Sequence, residues 1–257
     1  MKIIFLGTCS GTEPFPNIHH SATAIELNGV YYWFDAGETC SHTAYNMGMD
    51  LTKIRALFLT HMHNDHIGGL PNLIFTMDCS VKINGTPLVN DGVLDMYLAD
   101  MDAFDPLIKL ARGFRSSRTS RFDIKGHPIS DGVIFEDANA RVTALHNCHL
   151  GDPDERGWHS YSFLFEAEGK RVLLSGDVKS TDEFLPLLAD GVDVLIMETG
   201  HNKLSDVLEF SKNHKISKLI FNHHGREILN YRNESEEKIK QSGANAAIAF
   251  DGMILEI

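Results

Sequence analysis

Three imidazoles and a carboxylate fall within the six residues His61-Met62-His63-Asn64-Asp65-His66, directly after an apolar run. The run Ile54 to Leu59 reads as a buried strand, and Ile67 to Phe75 reads as helix, so the motif sits on a strand-to-helix turn. In an extended segment the side chains at i and i+2 point the same way, so His61 and His63 can approach one cation together. Asp65 and His66 fall where the chain turns, and can aim at a second point nearby. Imidazole nitrogen with some carboxylate oxygen suits zinc, and also iron, manganese or nickel. A purification tag could carry as many histidines, but it would not lie between a strand pattern and a helix pattern.

Further candidates recur at one kind of place, the polar residue that closes an apolar strand. His149 follows Val142–Cys148, Asp177 ends the run from Val172, and His223 ends the run from Leu219. Loops at strand ends on a rigid scaffold are common positions for reactive groups. His146 competes with His149, and His224 with His223.

The elements that must position these residues follow from pattern. Strands are read at Lys2–Gly7, Ala22–Leu27 and Val30–Asp35, the last two joined by Asn28-Gly29, a strong hairpin signal. A helix is read over His42–Met49, then the strand at Arg55–Thr60, a helix near Ile67–Met77, a strand at Leu94–Leu98 and a helix over Asp105–Ala111. The stretch Arg112–Arg121 carries Arg112, Arg115, Arg118 and Arg121, a basic patch read as a solvated loop or lid. The second half repeats the style of the first, with strands at Val133–Glu136, Arg141–Leu145, Ser160–Ala167 and Arg171–Ser175, a Glu168-Gly169 turn closing the last hairpin. Val192–Met197 and Lys218–Asn222 each follow a helical segment. Ala246–Phe250 and Met253–Ile257 read as a closing hairpin around Asp251-Gly252. Hairpins followed by strands alternating with helices argue two sheets with helices outside, and no linker composition divides residues 1–257, so one domain is expected.

Composition narrows the function classes. The 257 residues are 43% hydrophobic and 23% charged, ordinary values for a globular protein. No stretch has the length of a membrane span, and the apolar run at the amino terminus is too short for a signal peptide, so a cytoplasmic location is expected. Cys9, Cys40, Cys79 and Cys148 form no Cys-x-x-Cys pair, which argues against a thiolate zinc ribbon or a disulfide framework. A net charge of −12 disfavours a broad nucleic-acid surface, while bound divalent cations would still attract a small phosphate ester locally.

Taken in order, Asp35, His61-x-His63-x-Asp65-His66, His149, Asp177 and His223 resemble the motifs of the metallo-β-lactamase superfamily over nearly the whole chain. The resemblance implies an α+β fold, a four-layer αββα sandwich, with two divalent metal ions, zinc first and manganese or iron as alternatives. It assigns His61, His63 and His149 to one metal, Asp65, His66 and His223 to the other, Asp177 as the bridge, and Asp35 as a residue orienting the histidine motif. It prefers His149 over His146 and His223 over His224, leaving His224 to face substrate or solvent.

Within the superfamily the chain is similar to the branch of ribonuclease Z and related phosphodiesterases. Leu6-Gly7-Thr8, Phe34-Asp35-Ala36-Gly37-Glu38, Gly69-Leu70-Pro71 and Ile134-Phe135-Glu136-Asp137 carry that likeness. Glu198 and His201 fall where the branch keeps a proton relay to the leaving group, and Asp65 would add a general-base role to its metal contact. Arg226 is a candidate for holding a phosphate oxygen, with helix capping or ion pairing as its structural reading. The tRNA-gripping arm of bacterial ribonuclease Z lies between that Glu and that His, where this chain has only Thr199 and Gly200. A small phosphodiester is therefore expected as substrate and tRNA is not; related enzymes suggest a homodimer. The rival readings are a lactonase or other carboxylic-ester hydrolase, a single-iron redox or persulfide enzyme, and a non-catalytic metal-binding protein.

Overall fold

The computed structural model describes residues 1–113 and 120–257. In chain order the elements are β1 (Lys2–Gly7), β2 (Ala22–Leu27), β3 (Val30–Phe34), α1 (Cys40–Asn46), β4 (Ile54–Phe58), α2 (Asn64–Ile67), α3 (Leu70–Asn84), β5 (Val93–Leu98), α4 (Phe104–Arg112) and β6 (Asp123–Pro128). They continue with β7 (Gly132–Glu136), β8 (Arg141–His146), β9 (Tyr161–Ala167), β10 (Lys170–Leu174), α5 (Leu185–Leu188), β11 (Val192–Glu198), α6 (Leu204–Lys212), β12 (Ile216–Asn222), α7 (Arg226–Asn230), α8 (Arg232–Ser242), β13 (Ala246–Ile248) and β14 (Ile254–Glu256). Two compact units result. One comprises Met1–Gly7, Pro14–Pro128 and Asp251–Glu256; the other comprises Thr8–Glu13, Ile129–Phe250 and Ile257.

The first unit holds a sheet of order β14-β1-β2-β3-β4-β5-β6 and the second a sheet of order β13-β12-β11-β10-β9-β8-β7. Each is antiparallel where the chain turns back by hairpins and parallel where a helix carries it over, as at β3–β4–β5 and at β10–β11–β12. The hairpin turns are set by residue type. Asn28 and Gly29 take φ of 52° and 78°, and Glu168 and Gly169 take 53° and 73°, the pair of positive angles that keeps two strands in twist register.

Each unit has its own core. Trp33, Leu57, Leu73, Met77 and Leu98 belong to the first, and Leu173, Phe184, Leu195, Met197 and Phe221 to the second. In β4, Ile54, Ala56, Leu57 and Phe58 are buried and Arg55 alone is partly exposed, so apolar residues dominate both faces of the strand.

The structure departs from the sequence reading at four places. The helix expected over His42–Met49 begins earlier, at Cys40, and ends at Asn46. The helix after the histidine motif is two, α2 beginning inside the motif and α3 running on to Asn84, with Pro71 in its first turn and Gly85 left-handed beyond its end. Strand β6 was not expected, because Lys125-Gly126-His127-Pro128 has weak strand character; it is an edge strand, where proline is tolerated. The closing hairpin does not form. Strand β13 pairs in parallel with β12, and β14 pairs antiparallel with β1, so the two segments lie in different sheets. Two short apolar runs about a turn look the same in sequence whichever partners they take. Of the basic patch, Arg112 donates to the Phe122 carbonyl and Arg121 pairs with Asp78, whereas Arg115 and Arg118 lie outside the described residues.

Gly69 shows how tightly the first unit closes around the motif. Its N–H donates to the Ala36 carbonyl at 2.8 Å, and a Cβ at this position would lie 2.0 Å from the Gly37 carbonyl oxygen. Backbone meets backbone there, so no side chain can swing aside. Gly69→Ala is expected to destabilise the protein by roughly 1–3 kcal/mol or more, an overpacking cost read as a lowered denaturant midpoint at unchanged slope.

Candidate metal centre

In the first unit the site is organised from Asp35, which follows β3. Its φ of 58° is left-handed, a conformation that Asp tolerates better than most residues, and its N–H donates to the Phe58 carbonyl at 2.9 Å. The carboxylate is thereby turned onto Thr60 and His66. Oδ1 accepts from the Thr60 N–H at 2.8 Å and Oδ2 stands 2.8 Å from His66 Nδ1. A carboxylate can only accept, so His66 carries its proton on Nδ1 and presents an unprotonated Nε2.

The same logic reaches His61 through Thr60. The Thr60 hydroxyl lies 3.0 Å from both Asp35 oxygens and has one proton, which goes to the carboxylate. It is left as acceptor for His61 Nδ1 at 3.1 Å, and His61 too presents Nε2. His61 and His66 are buried, with ring centroids 4.1 Å apart, and His63 meets His61 edge-on at 4.6 Å. Asp65, also buried, brings Oδ2 to 3.4 Å from His66 Nε2.

In the second unit the centre of gravity is Asp177, in the loop after β10 and 2% exposed. Its Oδ1 lies 3.3 Å from His223 Nε2; its Oδ2 lies 3.7 Å from both His149 Nε2 and His201 Nδ1. His149, Asp177 and His201 each offer a ligand atom within 4.8 Å of the others, and so do Glu198, His201 and His223. His223 follows β12 with φ of 47°, and a Cβ on Gly200 would come within 2.8 Å of its Nδ1, so the Thr199-Gly200 turn passes directly against the ring.

Imidazoles and carboxylates gathered this closely fit a divalent cation, which accepts that donor set. The residues present fit the metal in both units.

Glu198 ends β11 with 2% exposure. Burial pushes its carboxyl up, but pairing with His201 and His223 outweighs that and holds it down to about 2. His201 is raised in turn, first by its pairing with Glu198 against the opposing effect of burial, and its side chain is 42% exposed. A charged imidazole braced by a buried carboxylate and open to solvent is suited to give up a proton.

Other sequence candidates fall elsewhere. His224 does not face substrate or solvent: it is fully buried, Nε2 donates to the Ala249 carbonyl at 2.9 Å, and burial holds its basicity down to about 4. Packing claims it: its N–H also donates to the Thr8 carbonyl at 2.7 Å, which ties backbone and ring inward together. Arg226 is exposed and held bidentate by Glu13, at 2.9 and 2.6 Å. His146 is engaged by Asp131 and stacks on Trp158 at 4.0 Å, and it belongs to none of the ligand clusters among the described residues. Sequence reasoning missed Thr60, whose signal was its place between strand and motif, and Ser175, whose Oγ accepts the Glu198 N–H at 3.1 Å. It also missed Asn202.

Ribonuclease Z of Shouchella clausii (strain KSM-K16) is 26% identical in an alignment spanning all of this chain and 97% of the relative. That alignment is 321 residues long, so the relative carries segments without a counterpart here. Several further ribonuclease Z relatives are matched over less than half of their own length. Among solved structures, the metallo-β-lactamase fold protein YhfI of Bacillus subtilis superposes with a TM-score of 0.77 at 18% identity, covering 99% of each chain. The short form of human tRNase Z gives 0.70 at 20% identity over 100% of this chain and 99% of that one. The fold is therefore the α+β metallo-β-lactamase fold, and the chain is an enzyme similar in sequence to ribonuclease Z. Within that class it belongs to the family described as anti-Pycsar protein Apyc1, whose sequence profile matches residues 1–241.

The Asp35 contacts generate a direct expectation. Asp35→Asn keeps the volume but places an amide where His66 Nδ1–H needs an acceptor of full charge. Zinc affinity, measured by competition with a chromogenic chelator, should fall about 10–100-fold, the usual cost of losing a partner behind a metal-bound histidine. Unchanged affinity would show that Asp35 serves the fold alone.

Proposed function

We propose that this chain is a metal-dependent phosphodiesterase acting on small diesters, and that residues 1–257 work as one catalytic domain. The observation that carries the reading is the Glu198–His201 pair beside Asp177, because a carboxylate-braced, half-exposed imidazole next to a ligand cluster serves a leaving group that needs a proton.

In this reading the ligand set is His61, His63 and His149 for one ion, Asp65, His66 and His223 for the other, with Asp177 shared. Asp35 holds His66, and through Thr60 also His61, in the required tautomer. Zinc suits the donors, with manganese or iron as alternatives. Such ions would acidify water and offset negative charge growing on the phosphoryl oxygens.

The chain's own residues do the rest. Asp65 orients the attacking water and takes its proton. As the bond from phosphorus to the leaving oxygen breaks, the electron pair stays on that oxygen and His201 supplies the proton that makes it an alcohol. Glu198 stabilises the charged imidazole before the transfer. The balance is water plus diester to monoester plus alcohol.

The small substrate is favoured by the two-residue spacing between Glu198 and His201 and by the net charge of −12, neither of which suits a tRNA body. The family description adds a biological role, and we carry opposition to Pycsar to this chain with diester hydrolysis as its means.

The test is zinc-loaded turnover of bis(p-nitrophenyl) phosphate and of a dialkyl-type diester, set against a lactone panel, for wild type, Asp65→Ala and His201→Ala. Asp65→Ala should abolish turnover of both diesters. His201→Ala should lower turnover of the alkyl diester by about 10²-fold or more while sparing nitrophenolate release, since a good leaving group departs without a proton. Lactone turnover without diester turnover would instead support a carboxylic-ester hydrolase.

A further inference from the structure

We propose that Asn202 is a positioning residue for the proton transfer by His201, an inference that rests on the phosphodiesterase reading. Its side-chain amide has two N–H donors, and both are used. One is donated to Glu198 Oε1 at 2.5 Å and the other to the Val178 carbonyl at 2.9 Å. Asn202 thus ties the Glu198 carboxylate to the residue that directly follows Asp177.

The consequence lies in which Glu198 oxygen is left for His201. Oε2 accepts the His201 backbone N–H at 2.8 Å, and Oε1 is taken by Asn202. With one strong donor on each oxygen, rotation of the carboxylate about its last bond is blocked and its plane is fixed. Oε2 is then the oxygen that faces the imidazoles, 3.5 Å from His201 Nδ1 and 3.9 Å from His223 Nδ1. Without Asn202, a carboxylate that is 2% exposed would lose its partner on Oε1. It would turn to recover one, and the ring of His201, whose side chain is 42% exposed, would lose its brace.

The groups that hold the Glu198 carboxylate come from two short stretches. Glu198, His201 and Asn202 lie within five residues at the end of β11, and Asp177-Val178 in the loop after β10. The amide therefore sets the proton donor against the loop that carries the central carboxylate. Neither the spacing of the motifs nor any assigned ligand role requires an asparagine at 202.

The experiment compares Asn202→Ala and the isosteric Asn202→Asp with wild type, each loaded with zinc, on bis(p-nitrophenyl) phosphate and on a dialkyl-type diester. Bound zinc and melting temperature are measured alongside. If Asn202 positions the donor, kcat on the alkyl diester falls about tenfold or more with KM unchanged, nitrophenolate release stays within about twofold, and bound zinc is retained. Asn202→Asp, which removes both donors and sets a second carboxylate beside Glu198, should lose at least as much. Equal losses on both diesters, or loss of zinc, would show that the residue only holds the Asp177 loop and would overturn the inference. Wild type inactive on both diesters would overturn the phosphodiesterase reading itself, and the positioning role with it.

Discussion

Buried carboxylates that collect imidazoles are the interaction on which both units depend. Asp35 in one and Asp177 in the other sit just beyond a core strand, at 5% and 2% exposure, where an unpaired charge would be too costly to keep. Asp35 is stabilised by the donors it draws in, and thereby fixes which ring nitrogen His66 presents. The effect is asymmetric. Asp35 is saturated by Thr60 and His66, so its role is orientation, whereas Asp177 faces three imidazoles at 3.3–3.7 Å, close enough to share a cation and too far for strong direct hydrogen bonds.

Holding these carboxylates requires backbone that ordinary side chains resist. Asp35 and His223 are both left-handed without being glycine, and both immediately follow a strand. That turn takes the side chain out of the alternation that would have buried it in the core or sent it to solvent. The surrounding packing supports the strain: Gly69 and Gly200 supply the room, and the N–H groups of Asp35 and His224 are anchored to the Phe58 and Thr8 carbonyls at 2.9 and 2.7 Å. At Asp35 and His223 the geometry is set in the first residue after the strand.

Much of this was legible in the sequence because the signals were local. Asn28-Gly29 and Glu168-Gly169 fix their hairpins through backbone angles, and the apolar runs before Asp35, Asp177 and His223 mark strands whose ends carry chemistry. What stayed hidden was non-local or conditional on it. The partners of β13 and β14 lie far away along the chain, and β6 is a strand only because β5 offers it an edge. His224 differs from His223 by one residue and by the sign of a backbone angle, which no pattern of residue types encodes. Thr60 and Asn202 carry no distinctive type at all, and their importance lies in which carboxylate oxygen each one occupies.

Charge sets the scale of substrate that such a site can serve. With 35 acidic against 23 basic residues, the surface as a whole opposes a long polyanion, and of the cations near the ligand loops Arg226 is already neutralised by Glu13. A polyanion would have to overcome that field along its whole length, as a body-length contact made by clustered Lys and Arg would not. The small diester of the proposed function would meet the protein only at the ligand cluster, where bound cations would reverse the sign of the potential within a few ångströms. In the proposed function, an attraction confined to the reacting phosphate would leave discrimination to the fit of the leaving group against His201, and so to the Glu198 brace beside that imidazole.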